Sequence, residues 1–418
     1  MADFARPPGT ADVLPEQAGA WQFVEVKARE VFGLYHYREV RTPIFEHTEI
    51  FERGVGDTTD IVQKEMYTFT DRGGRSLTLR PEGTAGVVRA FVEGKLYGGH
   101  LPAKYYYVGP MFRYEKKQAG RYRQFHQYGV EVIGSDDARA DAEVIELANR
   151  FLQELGIDKY RLELNSVGCP RCRAAHKALL LEHLAPVKEE LCQDCQARFE
   201  KNPLRILDCK IDGKHPQVQS APTIADHLCA DCATHFGEVK GHLDLLGVQY
   251  ELTPTMVRGL DYYTRTAFEF IGTELGAQST IIGGGRYNGL VSMLGGPALP
   301  GVGFAGGLER LLLTFAAARV EALSADRLDV FVIVMGEAAK GLSVKVLQRL
   351  RQHGFRADAD YAGRGFKAQL KLADRFFAPV ALIIGDDEVA AQSVTLRDMA
   401  SKEQRLVPLG ELVAALQK

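Results

Sequence analysis

Apolar positions recur along this chain with two different periods, and the changes of period divide it into elements. Trp21, Val24, Ala28, Val31, Phe32 and Tyr35 fall at helical spacing and predict an amphipathic helix from about residue 16 to 35. An extended run from Tyr37 to Thr42 follows and stops at Pro43. Met66 to Thr70 and Ser76 to Arg80 flank Asp71-Arg72-Gly73-Gly74, a hairpin turn in which the glycines permit positive φ. Two longer strands are predicted over Lys104 to Glu115 and Gln124 to Gly134, then a helix over Asp137 to Leu155 and a strand over Tyr160 to Asn165. A cysteine-bearing stretch occupies about residues 168–237. Strands resume at Gln249 to Met256, Asp261 to Phe270 and Gln278 to Ile282, and a glycine-rich segment, Gly301 to Gly307, enters an apolar helix from Leu308 to Ala317.

After a linker from Ala318 to Arg327 the pattern changes. Asp329 to Met335 is strand-like, Glu337 to His353 helical, Arg356 to Asp360 a strand, Lys367 to Phe377 helical and Val380 to Gly385 a strand. This alternation predicts a separate α/β domain of about 90 residues. The expected division is therefore 1–325 and 326–418, with the cysteine stretch inserted in the first part.

Composition narrows the picture only a little. The chain has 418 residues, 46% hydrophobic and 25% charged, ordinary for a globular protein. Lys plus Arg (51) nearly balance Asp plus Glu (54), and the net charge of -3 excludes a uniformly basic nucleic-acid coat. Any polyanion must be met by local patches. The N-terminus carries no signal-peptide core, and apolar runs such as Val330 to Met335 are far too short to span a bilayer, so a cytoplasmic protein without a membrane partner is expected.

All seven cysteines fall between Cys169 and Cys232, three times as Cys-x-x-Cys pairs. That usage points to reduced thiols or metal rather than to disulfides. Cys169, Cys172, Cys192 and Cys195 have nearly the spacing of a four-cysteine structural zinc site, and Cys209, Cys229, Cys232 and His215 could supply a second. Unmetallated cysteines in a helical insertion are the other reading.

Strand periodicity carries the chemistry. Side chains two apart share one face of a sheet, so Arg113 and Glu115 point one way and Phe125, Gln127, Gly129 and Glu131 form one row. A solvated sheet face is the plain explanation. Against it, Tyr105 to Val108, Met111, Tyr128, Val130 and Val132 make these strands apolar enough to be central, and a central strand with a charged face usually meets a ligand. The loop between them carries Lys116, Lys117, Arg121 and Arg123, either a solvated basic tip or a contact for phosphate or nucleic acid.

Phe112-Arg113-Tyr114-Glu115 followed by Arg123-Gln124-Phe125-His126-Gln127 resembles motif 2 of the class II aminoacyl-tRNA synthetases. The early helix, strand and Pro43 resemble motif 1, which in that family builds a dimer interface, and Gly301 to Arg310 resembles motif 3. Arg258-Gly259-Leu260-Asp261-Tyr262-Tyr263-Thr264-Arg265-Thr266, Gly283-Gly284-Gly285-Arg286-Tyr287 and Leu79-Arg80-Pro81-Glu82-Gly83-Thr84 are similar to peptides of the histidyl-tRNA synthetase family. The resemblance spans nearly the whole chain. It implies an α+β catalytic domain built on a mainly antiparallel sheet, a C-terminal α/β anticodon-binding domain, and a homodimer. The implied reaction is ATP- and Mg2+-dependent formation of histidyl-adenylate from L-histidine, then transfer to the 3′-terminal ribose of histidine tRNA.

The resemblance also implies roles. Arg113 and Arg258 meet the α-phosphate. Phe125 and Arg310 take opposite faces of adenine, where stacking and cation–π attraction suit a flat ring. Glu115 accepts from the adenine amino group and Arg121 meets the terminal phosphates. Glu82, Thr84 and Gln127 hold the α-amino group of histidine, Glu131 and Tyr263 hold the imidazole nitrogens, and Tyr262 lines the same pocket. Gln118 and Arg123 read the acceptor end of the tRNA. Arg364, Lys367, Lys371 and Arg375 form a basic helical stripe that is either a solvated face or a contact for the anticodon stem and loop. The alternative activity is that of a non-catalytic regulatory paralogue in histidine biosynthesis. The residue-level alternatives are structural: Glu82 as a charge at a helix N-terminus, Tyr262 and Tyr263 as sheet aromatics, Arg310 as a surface arginine. Gly54 to Glu65 is either a loop that closes over substrates or a plain mobile one.

Overall fold

The computed structural model describes residues 4–56, 59–116, 120–207, 209, 211–275, 279–324 and 327–417. The chain forms two compact units, divided between Val320 and Glu321.

The first unit is built on an eight-stranded sheet. Its strands are β1 (Arg38–Glu39), β2 (Ala103–Phe112), β3 (Gln124–Ile133), β4 (Tyr160–Ser166), β5 (Glu251–Leu252), β6 (Thr264–Gly272), β7 (Thr280–Arg286) and β8 (Gly301–Gly307). The spatial order is β1-β2-β3-β8-β7-β6-β4-β5. Only the edge pairs β1–β2 and β4–β5 are parallel; every other pairing is antiparallel.

One face of this sheet is apolar and covered. Helix α1 (Pro15–Leu34) buries Ala20, Val24, Ala28, Val31 and Phe32, the stripe its sequence period predicts. Helix α2 (Thr84–Glu93) packs on the other face, its Val87 against Tyr107 and Met111, and helix α3 (Ala138–Glu154) starts behind an N-cap in which Asp137 accepts from the Arg139 amide. The Phe32 ring lies 5.7 Å from Tyr106 and 6.0 Å from Phe304, and Tyr128 lies 5.2 Å from Phe151 of α3. Tyr128, Val130, Val132, Val302 and Phe304 are fully or almost fully buried there.

The opposite face has the other character. Glu131 pairs with Gly303, Gly129 with Ala305 and Gln127 with Gly307; Gly303 pairs in turn with Gly285, Ala305 with Gly283, and Gly283 with Glu269. Cross-strand partners share a face, so the polar row of β3 continues across three more strands through glycines to Glu269. Gly283, Gly284 and Gly285 are interior to β7.

Several predicted boundaries shift for identifiable reasons. The strand expected over Gln249 to Met256 contracts to β5, because the Asn165 side-chain amide donates to the carbonyls of Pro254 (3.1 Å) and Met256 (2.8 Å) and Pro254 has no amide to offer a ladder. The strand expected from Asp261 begins at Thr264, since the Asp261 amide donates to Val55. The helix after β8 is Leu308–Leu312, shorter than expected. Ala317–Ser324, expected as linker, is helical. Gln278, expected to open β7, lies outside the described residues. The insertion is helical, with Pro170–Leu184, Gln193–Lys201 and Ala230–Leu245 as its longer helices.

The second unit holds a five-stranded sheet ordered Ala357–Ala359, Val330–Val334, Val380–Ile384, Ser393–Asp398, Gln404–Pro408. The first three strands are parallel, as the strand–helix alternation predicts; the last two form an antiparallel addition that it did not. Helices Glu337–Gln352 and Phe366–Arg375 connect the parallel strands. Lys367, Lys371 and Arg375 are exposed on the second helix. Arg364 precedes that helix, its amide donating to Asp360, so the expected stripe has three members on the helix and one on the turn before it.

Arg286, in the second family-like peptide, is fully buried. Its Nε lies 3.1 Å from both Asp141 carboxylate oxygens and its Nη1 donates to the Ser135 carbonyl at 2.8 Å. It therefore clamps β7 to α3. Breaking a buried pair by removing one partner strands the other charge. We expect Arg286→Ala to destabilise the fold by about 3–5 kcal/mol, measured as the change in urea unfolding free energy.

Candidate active site

A cavity of about 230 Å3 opens on the polar face of the large sheet, lined by Glu82, Thr84, Arg113, Glu115, Arg121, Phe125, Gln127, Arg258, Tyr262, Tyr263 and Arg310 among others. Residues far apart in sequence meet there. Glu131 sits directly behind the lining, and only 1% of it is exposed.

Glu82 does what a carboxylate at a helix start does: its oxygens accept from the amides of Thr84 (2.8 Å) and Ala85 (2.7 Å), the first residues of α2. It also lines the cavity. The Thr84 hydroxyl donates to Glu131 at 2.7 Å, and the Tyr287 hydroxyl donates to the other Glu131 oxygen at 2.5 Å. Gln127 lines the cavity with its side-chain carbonyl buried and without a hydrogen-bond partner in the structure. Tyr262 and Tyr263 are buried with ring centroids 4.7 Å apart.

The phosphate-type residues are gathered on the other side. The Arg113 Nε donates to the Pro81 carbonyl at 2.8 Å, and its guanidinium lies over the Phe125 ring at 5.3 Å. Arg121 pairs with Glu115 at 2.9 Å, and Arg113 approaches the same carboxylate at 3.7 Å. Arg258 pairs with Glu269, which also accepts from the Thr280 hydroxyl at 2.8 Å. Arg310 donates to the Thr280 carbonyl at 2.9 Å and is part-buried, not a surface arginine. Burial, with Arg121 and Arg113 nearby, pulls its affinity for its proton below the usual guanidinium value.

Two close approaches explain why the floor is glycine. A Cβ at Gly283 would lie 2.2 Å from an Arg258 Nη atom, and one at Gly303 would lie 2.2 Å from a Glu131 oxygen. The chain gives up side chains on two strands so that charged groups from elsewhere can lie flat against the sheet.

The family model described as histidyl-tRNA synthetase matches residues 9–311, and the model of an anticodon binding domain matches residues 329–418. The histidine--tRNA ligase of Halothermothrix orenii is 51% identical over 416 residues, covering 100% of this chain and 99% of that one. The chain belongs to the histidyl-tRNA synthetase family. The ligase of Moorella thermoacetica is 54% identical over 409 residues, 98% of this chain and 97% of its own. Among solved structures, the apo histidyl-tRNA synthetase of S. aureus superposes with a TM-score of 0.83 at 40% identity, covering 99% of this chain and 100% of that one. The α+β catalytic fold and the separate anticodon-binding domain expected of the family are both present.

Two residues that support the cavity lining were not singled out by the sequence. Tyr287 and Glu269 received no role there, yet Tyr287 holds Glu131 and Glu269 holds Arg258. The available signal for Glu269 was its period-two placement on β6, but pairing with Gly283 needs the register. Arg123 lies apart from the cavity lining, its guanidinium 3.8 Å from the centre of the Tyr114 ring and its amide donating to Gly9. Gln118 lies outside the described residues. Of the segment Gly54 to Glu65, Ile61–Glu65 form a single π-helical turn and Ile61 lines the cavity.

The cysteines assemble differently from the expected set. Cys169 and Cys172 meet Cys229 and Cys232, whereas Cys192 and Cys195 meet Cys209 and Asp212; within each group the donor atoms lie within 4.8 Å of one another. The correction is topological: helix Pro170–Leu184 carries the chain away from the first pair before the second begins, and helix Ala230–Leu245 brings its own first turn back to it. His215 stays out of the second group, its ring near Glu190 at 3.5 Å and accepting from the Gln217 amide. All seven cysteines are unbridged.

Burial pushes the Glu131 carboxyl up to about 8, against the lowering effect of its bonds from Tyr287 and Thr84, and the Glu82 charge adds to the rise. The folded chain therefore keeps a proton on Glu131 that the unfolded chain releases near pH 4.5. Between those values the folded state binds more protons than the unfolded state, so this group makes stability fall as pH rises through the interval. We expect Glu131→Gln to flatten that decline, read as the difference between urea unfolding free energies at pH 6 and pH 8.5 in parent and variant.

Proposed function

We propose that the cavity is a combined ATP and histidine site, and that the chain attaches L-histidine to histidine tRNA in two steps through an enzyme-bound histidyl-adenylate. The observation that carries this reading is the meeting, in one cavity, of four guanidinium groups with a second set of buried hydrogen-bonding groups around Glu131.

In the first step the histidine carboxylate attacks the α-phosphorus of ATP and pyrophosphate leaves. Arg113 and Arg258 are assigned to the α-phosphate, where they offset the charge that develops on its oxygens. Phe125 and Arg310 are assigned to the two faces of adenine, Glu115 to its amino group and Arg121 to the terminal phosphates. Mg2+ takes oxygen ligands and commonly shares few of them with protein. Of the carboxylates lining the cavity, Glu115, paired with Arg121, would be the one beside the terminal phosphates, and a bound Mg2+ would supply neutralisation of phosphate charge.

Histidine is distinguished by groups that an apolar competitor leaves unpaired. Glu82, Thr84 and Gln127 are assigned to the α-amino group, and the unpartnered Gln127 carbonyl supports that assignment. Glu131 and Tyr263 are assigned to the imidazole nitrogens, with Tyr262 beside them. Unsatisfied buried polar groups give discrimination of about 10⁴ or more, so no editing step is invoked. Transfer to the 3′-terminal ribose follows, with Gln118 and Arg123 assigned to the acceptor end and Arg364, Lys367, Lys371 and Arg375 to the anticodon stem and loop. The regulatory-paralogue alternative is not favoured: the ligases at 51% and 54% identity match across essentially the whole chain, the anticodon-binding domain included.

Three further elements complete the reading. A cytoplasmic location is supported by the seven unbridged cysteines, and no helix among the described residues is long and apolar enough to cross a membrane. The four-sulfur group Cys169, Cys172, Cys229 and Cys232 is proposed as a structural zinc site. A zinc–sulfur bond of about 2.3 Å with tetrahedral angles implies sulfur separations of about 3.8 Å. Cys169 lies 3.6 Å from Cys172 and 3.9 Å from Cys229. A homodimer is supported by the apolar surface beside Pro43: Ile44, Phe45 and Phe69 are exposed, and the two phenylalanine rings lie 6.4 Å apart.

Two experiments test this. With all twenty amino acids compared, histidine alone is expected to drive exchange of labelled pyrophosphate into ATP, and Arg258→Ala is expected to lower that exchange by about 10²–10³-fold with an unchanged circular dichroism spectrum. In sedimentation equilibrium the parent is expected at twice the mass of the 46.2 kDa chain, with Phe45→Asp/Phe69→Asp shifted toward the single-chain mass.

A further inference from the structure

The second sulfur group is the one the reaction does not explain. Cys192, Cys195, Cys209 and Asp212 place three thiols and one carboxylate with donor atoms within 4.8 Å of one another, and Cys192 lies 3.8 Å from Cys209. The Asp212 carboxylate accepts from the Cys192 amide at 3.0 Å, and the Asp212 amide donates to the Cys209 sulfur at 3.4 Å. Amides aimed at a sulfur and a second hydrogen bond to the carboxylate are the outer-shell contacts that orient metal ligands. Cys195 is completely buried, and the surrounding cluster includes Leu180, Leu184, Leu191, Phe199 and Ile206, so this group lies within the insertion's own small core. Three soft sulfurs and one oxygen gathered this closely, with Cys192 and Cys209 at the sulfur separation of a tetrahedral site, suit Zn2+.

This group is also linked to the cavity. Helix α4 (Gln193–Lys201) starts immediately after Cys192 and carries Cys195 in its first turn. Farther along the same helix, Arg198 pairs with Asp60 at 3.4 Å. Just past its end, the Asn202 amide group donates to Asp261 at 3.1 Å, and Arg205 donates to the Gly259 carbonyl at 3.4 Å. Asp60 precedes Ile61, and Gly259 to Asp261 lead directly into Tyr262 and Tyr263; Ile61, Gly259 and both tyrosines line the cavity.

We propose that Cys192, Cys195, Cys209 and Asp212 bind a zinc ion, separate from the one at Cys169, and that this ion fixes helix α4 so that Arg198, Asn202 and Arg205 brace the wall of the histidine pocket. On binding, Zn2+ replaces the thiol protons, which pass to solvent, and no redox change is involved. The coupling rests on the assignment of this cavity to histidine; the metal site does not.

Elemental analysis of the purified full-length chain is expected to give two zinc ions per chain. Cys192→Ser/Cys209→Ser is expected to retain one, with KM for histidine in pyrophosphate exchange raised by about tenfold, in the range usual for coupling between sites, and kcat changed less. Arg198→Ala/Asn202→Ala keeps both ions and is expected to raise the same KM, which separates bracing from misfolding if the cysteine variant is unstable. A parent chain with one zinc or none, or with iron in place of zinc, overturns the metal site. An unchanged histidine KM in the Arg198→Ala/Asn202→Ala variant overturns the coupling. Two zinc ions in a chain that exchanges pyrophosphate with a different amino acid would leave the site standing and remove the histidine assignment instead.

Discussion

A carboxylate buried against the middle of a β-sheet is the costly element on which this architecture turns. Glu131 lies on a central strand, far from solvent, and an uncompensated charge there would oppose folding strongly. Three features make it tolerable: hydroxyl donors from Thr84 and Tyr287, a bare glycine opposite at Gly303, and a raised affinity for its proton. Thr84, Tyr287 and Gly303 come from different parts of the chain. The sheet order, which puts β8 and β7 next to β3 although they follow far later in sequence, is what makes them converge.

The same constraint accounts for how much was legible beforehand. The row Phe125, Gln127, Gly129, Glu131 follows from period two alone, and the apolar alternates Tyr128, Val130 and Val132 follow from it as the covered face. Both are present as read, because antiparallel central strands have no freedom to rotate their pattern. Helix α1 was equally plain, since its stripe needs only local spacing. What spacing cannot supply is register. That Gly283 faces Glu269, and that Arg258 therefore lies across a glycine to reach it, depends on pairings between strands whose order in space is not their order in sequence. The triple glycine looks like a loop for the same reason: its conformational freedom is visible in sequence, whereas its use as space for a neighbour is not.

The insertion illustrates the limit more sharply. Three Cys-x-x-Cys pairs admit several groupings, and proximity in sequence favoured joining the first two. The helices decide otherwise: a Cys-x-x-Cys at the start of a helix presents both sulfurs at one end, so each such end must find another end or a turn. The first pair finds the start of the last helix, and the second finds the turn at Cys209 to Asp212. An aspartate completing a thiol group leaves no mark in a cysteine pattern, which is why His215 looked the better candidate.

The cavity's charges point to a further step. Arg258 and Arg121 already have carboxylate partners, Glu269 and Glu115, while remaining in the cavity lining. On the proposed assignment, phosphate oxygens of ATP meet cations whose orientation is already set, so little reorganisation is needed as charge moves onto the α-phosphoryl group. The partner carboxylates also offset the repulsion between closely spaced arginines; the proton affinity of Arg310 is lowered first by burial, with Arg121 and Arg113 adding to the effect and Glu115 and Glu269 opposing it. On the proposed assignment Glu269 acts by positioning: it holds Arg258, and the bare glycine at 283 gives that guanidinium room to lie there.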